Sequence, residues 1–573
     1  MKNIITTYNI KTWKQGGNNI ILGKWCLPFE KEKIINTKKI PIHHWENKTK
    51  KTNDYYYLKK LYKKILKALC LHLNKNHNSN YSYRSWALML SPWLIGHLTS
   101  MFDKYETLKK NIVKSKKYKT QVLKYDKHDL CPVDYLDYIY NKGNKDDWHH
   151  IFFAELIKYF YKNKILISNV AHKRKETFDN SFNLKESIKI KLSSDNNLRK
   201  NNFFLDTTLL KIQTCFQLCY KTKNKPYFTS KFYAEQNKIK NKINFNLKKK
   251  LNENFKFKTN NKFENFIKDC LFDYIPSSHL ENFNDYEKSA EKFKFNGKKI
   301  ISRGAHISLD FYKHWCAKQI ESGKKHIIAF HGADFPEKII NFDYEYQIAD
   351  NFIIHSKKFR KKHIRLPVLN LSPAKRMINP KGILVVTYPE SAKFGTRAGL
   401  SSTYGESVLV SFNFLIKALS KLNSDIVKIL KFRTLIGSTW DFNKRITYFF
   451  GNKKIDNNNN YVSALKDKKL VILNYLGTPF YESIISNIPT ICLQEKNAWV
   501  YEKKFKNILI KMERNNIIFY DIKKFTKHIN TNFQTIDNWW NSKEVVSTIR
   551  EYKKLVCLFE KNKNLNSWVN FLN

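Results

Sequence analysis

The sequence predicts an α/β protein with two doubly wound lobes, a helical N-terminal elaboration and a Lys/Asn-rich insertion. Three observations lead there. In residues 469–482, KLVILNYLGTPFYE, an apolar strand-like run stops at a small-residue turn, and a helix then opens with a carboxylate in its first turns. SIISNIPTICL follows and ends in a second short apolar strand. Between residues 299 and 493, short apolar runs alternate with helical periodicity, the pattern of a parallel sheet with crossover helices. A chain of 573 residues also exceeds one ordinary core at about 100–200 residues per domain, and its 42% apolar residues are enough to fill several interiors.

Residues 1–169 form a first unit. It has a short strand at 19–22 ending in Gly23-Lys24-Trp25-Cys26, a helix at 55–73 spaced by Leu58, Leu61, Ile65 and Leu69, and a helix at 86–98 that Pro92 should kink or split. Residues 170–298 are rich in Lys and Asn and read as a variable, partly ordered insertion. Residues 299–380 complete the first lobe, Rossmann-like in its alternation. They hold a strand at Lys299–Ser302, a helix at 308–323, a strand at 326–330 running into His331-Gly332-Ala333-Asp334, and a strand at 351–355. Residues 381–540 form the second lobe. Its strand at 383–387 ends in Tyr388-Pro389-Glu390-Ser391, a helix covers 407–422, a strand at 427–432 leads to Arg433, and strands at 470–474 and Thr490–Leu493 complete it. Residues 541–573 read as an amphipathic terminal helix.

The formal net charge is +55, from 104 Lys+Arg against 49 Asp+Glu. Such an excess suggests nucleic acid or an anionic membrane. It travels with heavy use of Asn, Ile, Phe and Tyr, which A/T-rich codons spell, and no RRM, KH, helix-turn-helix or zinc-finger pattern accompanies it. Compositional drift and a solvated surface account for it, leaving peripheral contact with anionic head groups. Nine Cys are scattered without a CxxC pair, so a structural zinc is not expected and a reducing compartment fits. The chain shows no signal-peptide h-region and no window of about 18 apolar residues. A cytoplasmic location is expected, with peripheral contact at the inner face of the cell membrane.

In open α/β sheets ligands sit at the carboxyl ends of the strands. In the second lobe those ends carry Glu390, Ser391, Arg433, Tyr475, Gly477, Thr478 and Glu482. Gly477 allows close backbone approach, Thr478 can bond a phosphate at a helix start, Glu482 can accept from sugar hydroxyls, and Arg433 can fork onto a phosphate. The plainer alternative makes Thr478 an N-cap and Glu482 a favourable charge on the helix dipole. In the first lobe His331, with Asp334 beside it, can act as general base on an acceptor hydroxyl, or its neutral ring can bond the donor phosphate, the plainer alternative being a structural histidine. Near the N-terminus Trp25, His44, His77, Arg84 and Trp86 combine stacking faces with polar groups suited to a sugar acceptor, the alternative being core packing. No DxD occurs at a suitable strand end, and Asp146-Asp147 reads as a helix start. No metal and no cofactor are expected.

The ordered motifs GKWC, HHW, DYYYLKKLY, LNKNH, YSYRSW, SPWL, FDKYETL, HGAD, YEYQIAD, NYLGTPFYES, NIPTI and NWW resemble a family of transferases encoded among bacterial surface-polysaccharide genes. The C-terminal half is also similar to GT-B glycosyltransferases, and HGAD is similar to the strand-His-Gly of polyol-phosphate polymerising transferases. Ala333 stands where a second Gly often follows. The resemblance implies a GT-B-like, metal-independent glycosyltransferase that moves a sugar from a nucleotide-activated donor to a surface-polysaccharide or glycolipid acceptor. Two alternatives stay open: a polyol-phosphate or phosphosugar transferase, and a non-catalytic basic protein that binds RNA or membrane.

Overall fold

A computed structural model describes residues 1–13, 18–32, 40–113, 115–171, 184–193, 197–208, 210–330, 332, 341–369, 371, 373–388, 405–434, 440–458, 460–496, 498–557, 559 and 564–573. These residues form two compact units, one holding 1–329 and 341–351, the other 330, 332 and 352 onward. Both are α/β, with parallel strands and Rossmann-like alternation.

The first unit opens with a parallel sheet of β1 (Lys2–Ile5), β2 (Asn19–Ile21), β3 (Tyr118–Leu123) and β4 (Ile165–Val170), in the order β2-β1-β3-β4. Alternation in β3 buries Tyr118, Thr120 and Val122 and leaves Lys119 and Gln121 at the border, the two-residue period of a strand. The sheet stands beside the expected helices of the N-terminal elaboration and adds β1, β3 and β4 to the one strand expected there, at 19–22. β1 is short, and in β4 the apolar run Ile165-Leu166-Ile167 breaks off at Ser168-Asn169.

Two long helices follow. α1 (Lys48–His77) begins at Asn47, whose side chain accepts from the Lys50 N–H, and ends where Asn78 turns left-handed at φ 49°. α2 (Tyr83–Asn111) is capped by Ser82 and runs through Pro92 undivided, which corrects the expected split. Every residue from Ser85 to Lys104 is buried, and packing on that scale outweighs the roughly 3 kcal/mol cost of an interior proline. α3 (Asp146–Phe160) carries Asp146 and Asp147 in its first turn, as a helix start should.

The described part of the Lys/Asn-rich stretch is structural. β5 (Asn197–Leu198), β6 (Phe203–Leu205), β7 (Lys294–Phe295), β8 (Lys299–Ser302) and β9 (Lys325–Ala329) follow, and β5 pairs with β7 while β6, β8 and β9 lie side by side in parallel. Helices Ser230–Gln236 and Lys262–Tyr274 bury Phe232, Ile267, Leu271 and Phe272. Lys248 is itself fully buried, and its ammonium donates to the Phe272 and Ile275 carbonyls. The composition is polar, but the aromatic positions are core. α4 (Asp310–Glu321) lies between β8 and β9 in the chain.

In the second unit Phe352–Ile354 of β10 (Asn351–Ile354) pair in parallel with β11 (His363–Arg365). A five-stranded parallel sheet follows: β12 (Gly382–Val386), β13 (Leu430–Arg433), β14 (Lys468–Leu473), β15 (Thr490–Leu493) and β16 (Ile518–Phe519), in the order β13-β12-β14-β15-β16. Leu470, Val471, Ile472 and Leu473 are all fully buried, as a central strand covered on both faces must be. α5 (Glu406–Leu419), α6 (Thr478–Ile485) and α7 (Lys543–Val556) pack around it. The strand order changes direction between β12 and β14, and at such a switch point the connections diverge and leave a crevice at the carboxyl ends.

Candidate active site

The switch point is built from chain ends that hold one another. Asn474, just past β14 and 1% exposed, accepts from the Tyr388 N–H at 2.6 Å and donates to Ser411 Oγ at 3.2 Å. The ends of β12 and β14 are thereby tied together. The next residues turn into α6, whose N-cap is Gly477 with no side-chain capping bond and whose first turn contains Pro479. Thr478 is therefore not the cap, and the plainer alternative for its hydroxyl falls away. The helix start presents backbone N–H groups and the positive end of the helix dipole.

Gly332 comes against this turn. A β-carbon added to it would lie 2.5 Å from Thr478 Oγ1, so a larger residue there would force the threonine side chain to shift. Close approach in the HGAD segment thus occurs at Gly332; Ala333 lies outside the described residues. His331 and Asp334, and likewise Glu390 and Ser391, lie outside the described residues.

Tyr461 joins the remaining donor-side residues. Its hydroxyl contacts Ser483 Oγ at 2.6 Å and donates to the Pro479 carbonyl at 3.1 Å. Burial pushes the phenol up; the Glu482 carboxylate adds to this and the Arg433 guanidinium opposes it. Arg433 and Glu482 therefore act on one tyrosine beside α6. Tyr475 is also raised, first by burial and then by Tyr461, Tyr388 and Glu482. Arg433 Nη1 donates to Asp456 Oδ2 at 2.6 Å and to the Asn458 carbonyl at 3.0 Å, which fixes its orientation at the end of β13. The structure thus places Tyr475, Gly477, Thr478 and Glu482 between the end of β14 and the first turns of α6, and Arg433 at the end of β13.

Aromatic residues that sequence reasoning missed complete the wall. Tyr388 packs edge-on against Tyr475 and Trp499, each with centroids 5.3 Å apart, and Tyr501 donates to Gln494 Oε1 at 2.6 Å. Among the described residues, Thr387 Oγ1, Gln494 Nε2 and Trp499 Nε1 are buried without a hydrogen-bond partner. Such atoms cost about 1–3 kcal/mol each and ask for an explanation. All three follow the carboxyl ends of β12 or β15. The sequence signal was available: a polar residue closing an apolar strand (TICLQ), then an aromatic run at Trp499 and Tyr501.

The acceptor-side candidates are different. Trp25 is 4% exposed and donates to the Thr6 carbonyl, and Trp86 is fully buried and donates to Asn74 Oδ1. Neither has a face for a sugar ring, which corrects that expectation. His77 stacks on Phe283 at 4.0 Å, and Arg84 forks onto Asp350 at 2.7 and 3.0 Å. His44 and His43 both meet Asp103 Oδ1, at 2.9 and 2.8 Å. Burial pushes the Asp103 carboxyl up, but the two imidazoles outweigh it and hold it well below the usual range. These three residues are spaced for a metal ion. His43 Nδ1 accepts from the Trp45 N–H, so its Nε2 carries the proton and donates to Asp103. The lone pair a metal would need is not available there.

The model of the LIC12162 family transferases matches residues 2–572. No relative is found among curated proteins. Two solved structures align with part of the chain. The spinosyn rhamnosyltransferase SpnG, in complex with spinosyn aglycone, has 10% identity over 48% of this chain and 74% of its own, with a TM-score of 0.29. WaaG, a glycosyltransferase involved in lipopolysaccharide biosynthesis, has 8% identity over 51% of this chain and 95% of its own, also with a TM-score of 0.29. At that TM-score neither likeness bears on the site or its chemistry.

Proposed function

Starting from a chain that belongs to the LIC12162 family of transferases, we propose that it moves a glycosyl group from a nucleotide-activated donor to a surface-polysaccharide or glycolipid acceptor. One observation carries this reading. Gly332 closes on Thr478 at a switch point whose buried polar atoms find no protein partner among the described residues. The donor phosphates sit at the uncapped start of α6, bonded by Thr478 and its neighbouring N–H groups. Arg433 adds positive charge, Glu482 accepts from hydroxyls, and Glu390 and Ser391, which follow β12 in the sequence, are assigned to the donor as well. The planar base lies against Tyr388 and Trp499, within reach of Gln494.

His331 takes the proton of the acceptor hydroxyl while Asp334 orients it. The acceptor oxygen bonds to the anomeric carbon as the bond from that carbon to phosphate oxygen breaks. Charge on the departing phosphate is met by helix N–H groups and Arg433, so we assign metal-independent chemistry without a cofactor. The acceptor binds outside the buried Trp25–Trp86 region.

Thermal-shift measurements with CMP-, UDP-, GDP- and CDP-linked sugars test the proposal, because a bound donor raises apparent stability with its affinity. One donor class should raise the Tm, and no shift with any of the four contradicts the assignment. Mass analysis of the product separates glycosyl transfer from phosphosugar transfer, which leaves a phosphate on the acceptor.

A further inference from the structure

The first sheet borders a basic groove that the transfer reading leaves unused. It is a concavity of about 670 Å³ at the amino ends of β3 and β4, lined in part by Lys117, Lys158, Lys162 and Lys164, and none of its lining residues is acidic. Lys158 pairs with Glu155 at 3.1 Å. Lys117 and Lys162 are exposed and Lys164 is half-buried. Beside these cations two lining residues are apolar and bare: Met1 is 68% and Leu166 is 62% exposed. Leu166 lies on β4, the edge strand of its sheet, where natural proteins usually avoid an open apolar side chain.

We propose that this groove docks on an anionic lipid surface, with the lysines at head-group phosphates and Leu166 and Met1 in the boundary between head groups and acyl chains. The inference goes beyond the transfer reading and does not rest on it. Positive charge without a lining carboxylate selects an anionic partner. The bare Leu166 and Met1 select a bilayer over nucleic acid, because a phosphodiester backbone offers no apolar phase. The one aromatic lining residue, Tyr118, is 2% exposed and provides no stacking platform.

A second lysine-lined concavity, of about 430 Å³, provides the control. Lys64, Lys67, Lys75 and Lys256 line it with Leu71. It is smaller, its Lys64 is tied to Glu264 at 2.6 Å, and its exposed Leu71 lies on α1 and not on a sheet edge. Changing three lysines there alters the net charge of +55 by the same amount as changing three in the first groove.

The experiment is co-sedimentation of the full chain with vesicles of phosphatidylcholine alone or mixed with phosphatidylglycerol. The variants are Lys117→Glu/Lys162→Glu/Lys164→Glu, the matched Lys67→Glu/Lys75→Glu/Lys256→Glu, and Leu166→Ser, each checked for unaltered thermal unfolding. Binding is expected only to the anionic vesicles. The first triple should weaken it by about a hundredfold or more, at roughly 1 kcal/mol per lysine. Leu166→Ser should weaken it as well, and the matched triple should weaken it by much less. Equal losses from the two triples would mean generic charge attraction and overturn the site. So would wild-type protein that ignores anionic vesicles, or a first triple that loses single-stranded RNA while keeping vesicles.

Discussion

The α-carbon of Gly332 faces Thr478 so closely that one methyl group in its place would meet the threonine oxygen at 2.5 Å. Gly332→Ala should therefore destabilise the protein by about 1–3 kcal/mol, the usual range for overpacking. Gly332→Ala/Thr478→Ala should recover the Tm without recovering transfer, because relieving the clash also removes the phosphate-binding hydroxyl. Paired thermal unfolding and transfer assays check this. Recovery of full activity in the double variant would remove Thr478 from the mechanism.

Asn474 holds the ends of β12 and β14 together through Tyr388 N–H and Ser411. Asn474→Ala removes both of these bonds, one of them to the buried Ser411 hydroxyl, at a cost of about 1–3 kcal/mol. Urea unfolding should show the loss as a lower midpoint with an unchanged slope.

Trp499→Phe should separate stability from function. Trp499 Nε1 is buried with no partner among the described residues, so removing it should leave the free protein as stable or raise its Tm slightly. The donor-induced thermal shift should shrink, because the N–H is kept for the ligand. A lower Tm with an undiminished donor shift would make Trp499 an ordinary core residue.

A pH effect follows from Asp134 in the first unit. Burial, reinforced by the Asp310 charge, pushes its carboxyl up to about 7, above the roughly 3.9 of an unfolded aspartate. The native state therefore holds a proton that the unfolded state releases. That contribution is fully present below about pH 4 and is lost as pH rises through about 7. Asp134→Asn keeps a neutral side chain for the Asp137 N–H and should flatten the fall in stability between about pH 4 and pH 7, as read by denaturant midpoints. An unchanged slope would place the titration elsewhere.

The parts of the fold that were legible in the sequence are those with long apolar runs and sharp punctuation. β14, the Gly-Thr-Pro turn and β15 could be placed because four consecutive buried residues stop at a helix start that only Gly477 and Pro479 would make. The strand at Lys299–Ser302 was clear for the same reason. β1 and β4 were not, since one is short and the other lies on an exposed edge. The continuity of α2 through Pro92 is a tertiary effect, set by burial on every side, and no local rule reports it. Within the site, Arg433, Gly477, Thr478 and Glu482 could be chosen from strand-end positions. Thr387, Gln494 and Trp499 stand out only once their neighbours fail to pair with them. Trp25 and Trp86 misled because a buried tryptophan beside polar residues and a sugar-binding tryptophan share the same sequence signature.

A co-crystal structure with the nucleotide sugar that raises the Tm tests the central claim most directly. The donor phosphates are expected within hydrogen-bond distance of Thr478 and the first N–H groups of α6, with the base against Trp499. Phosphates bound away from α6, for instance at the carboxyl ends of β1 and β3, would contradict the assignment.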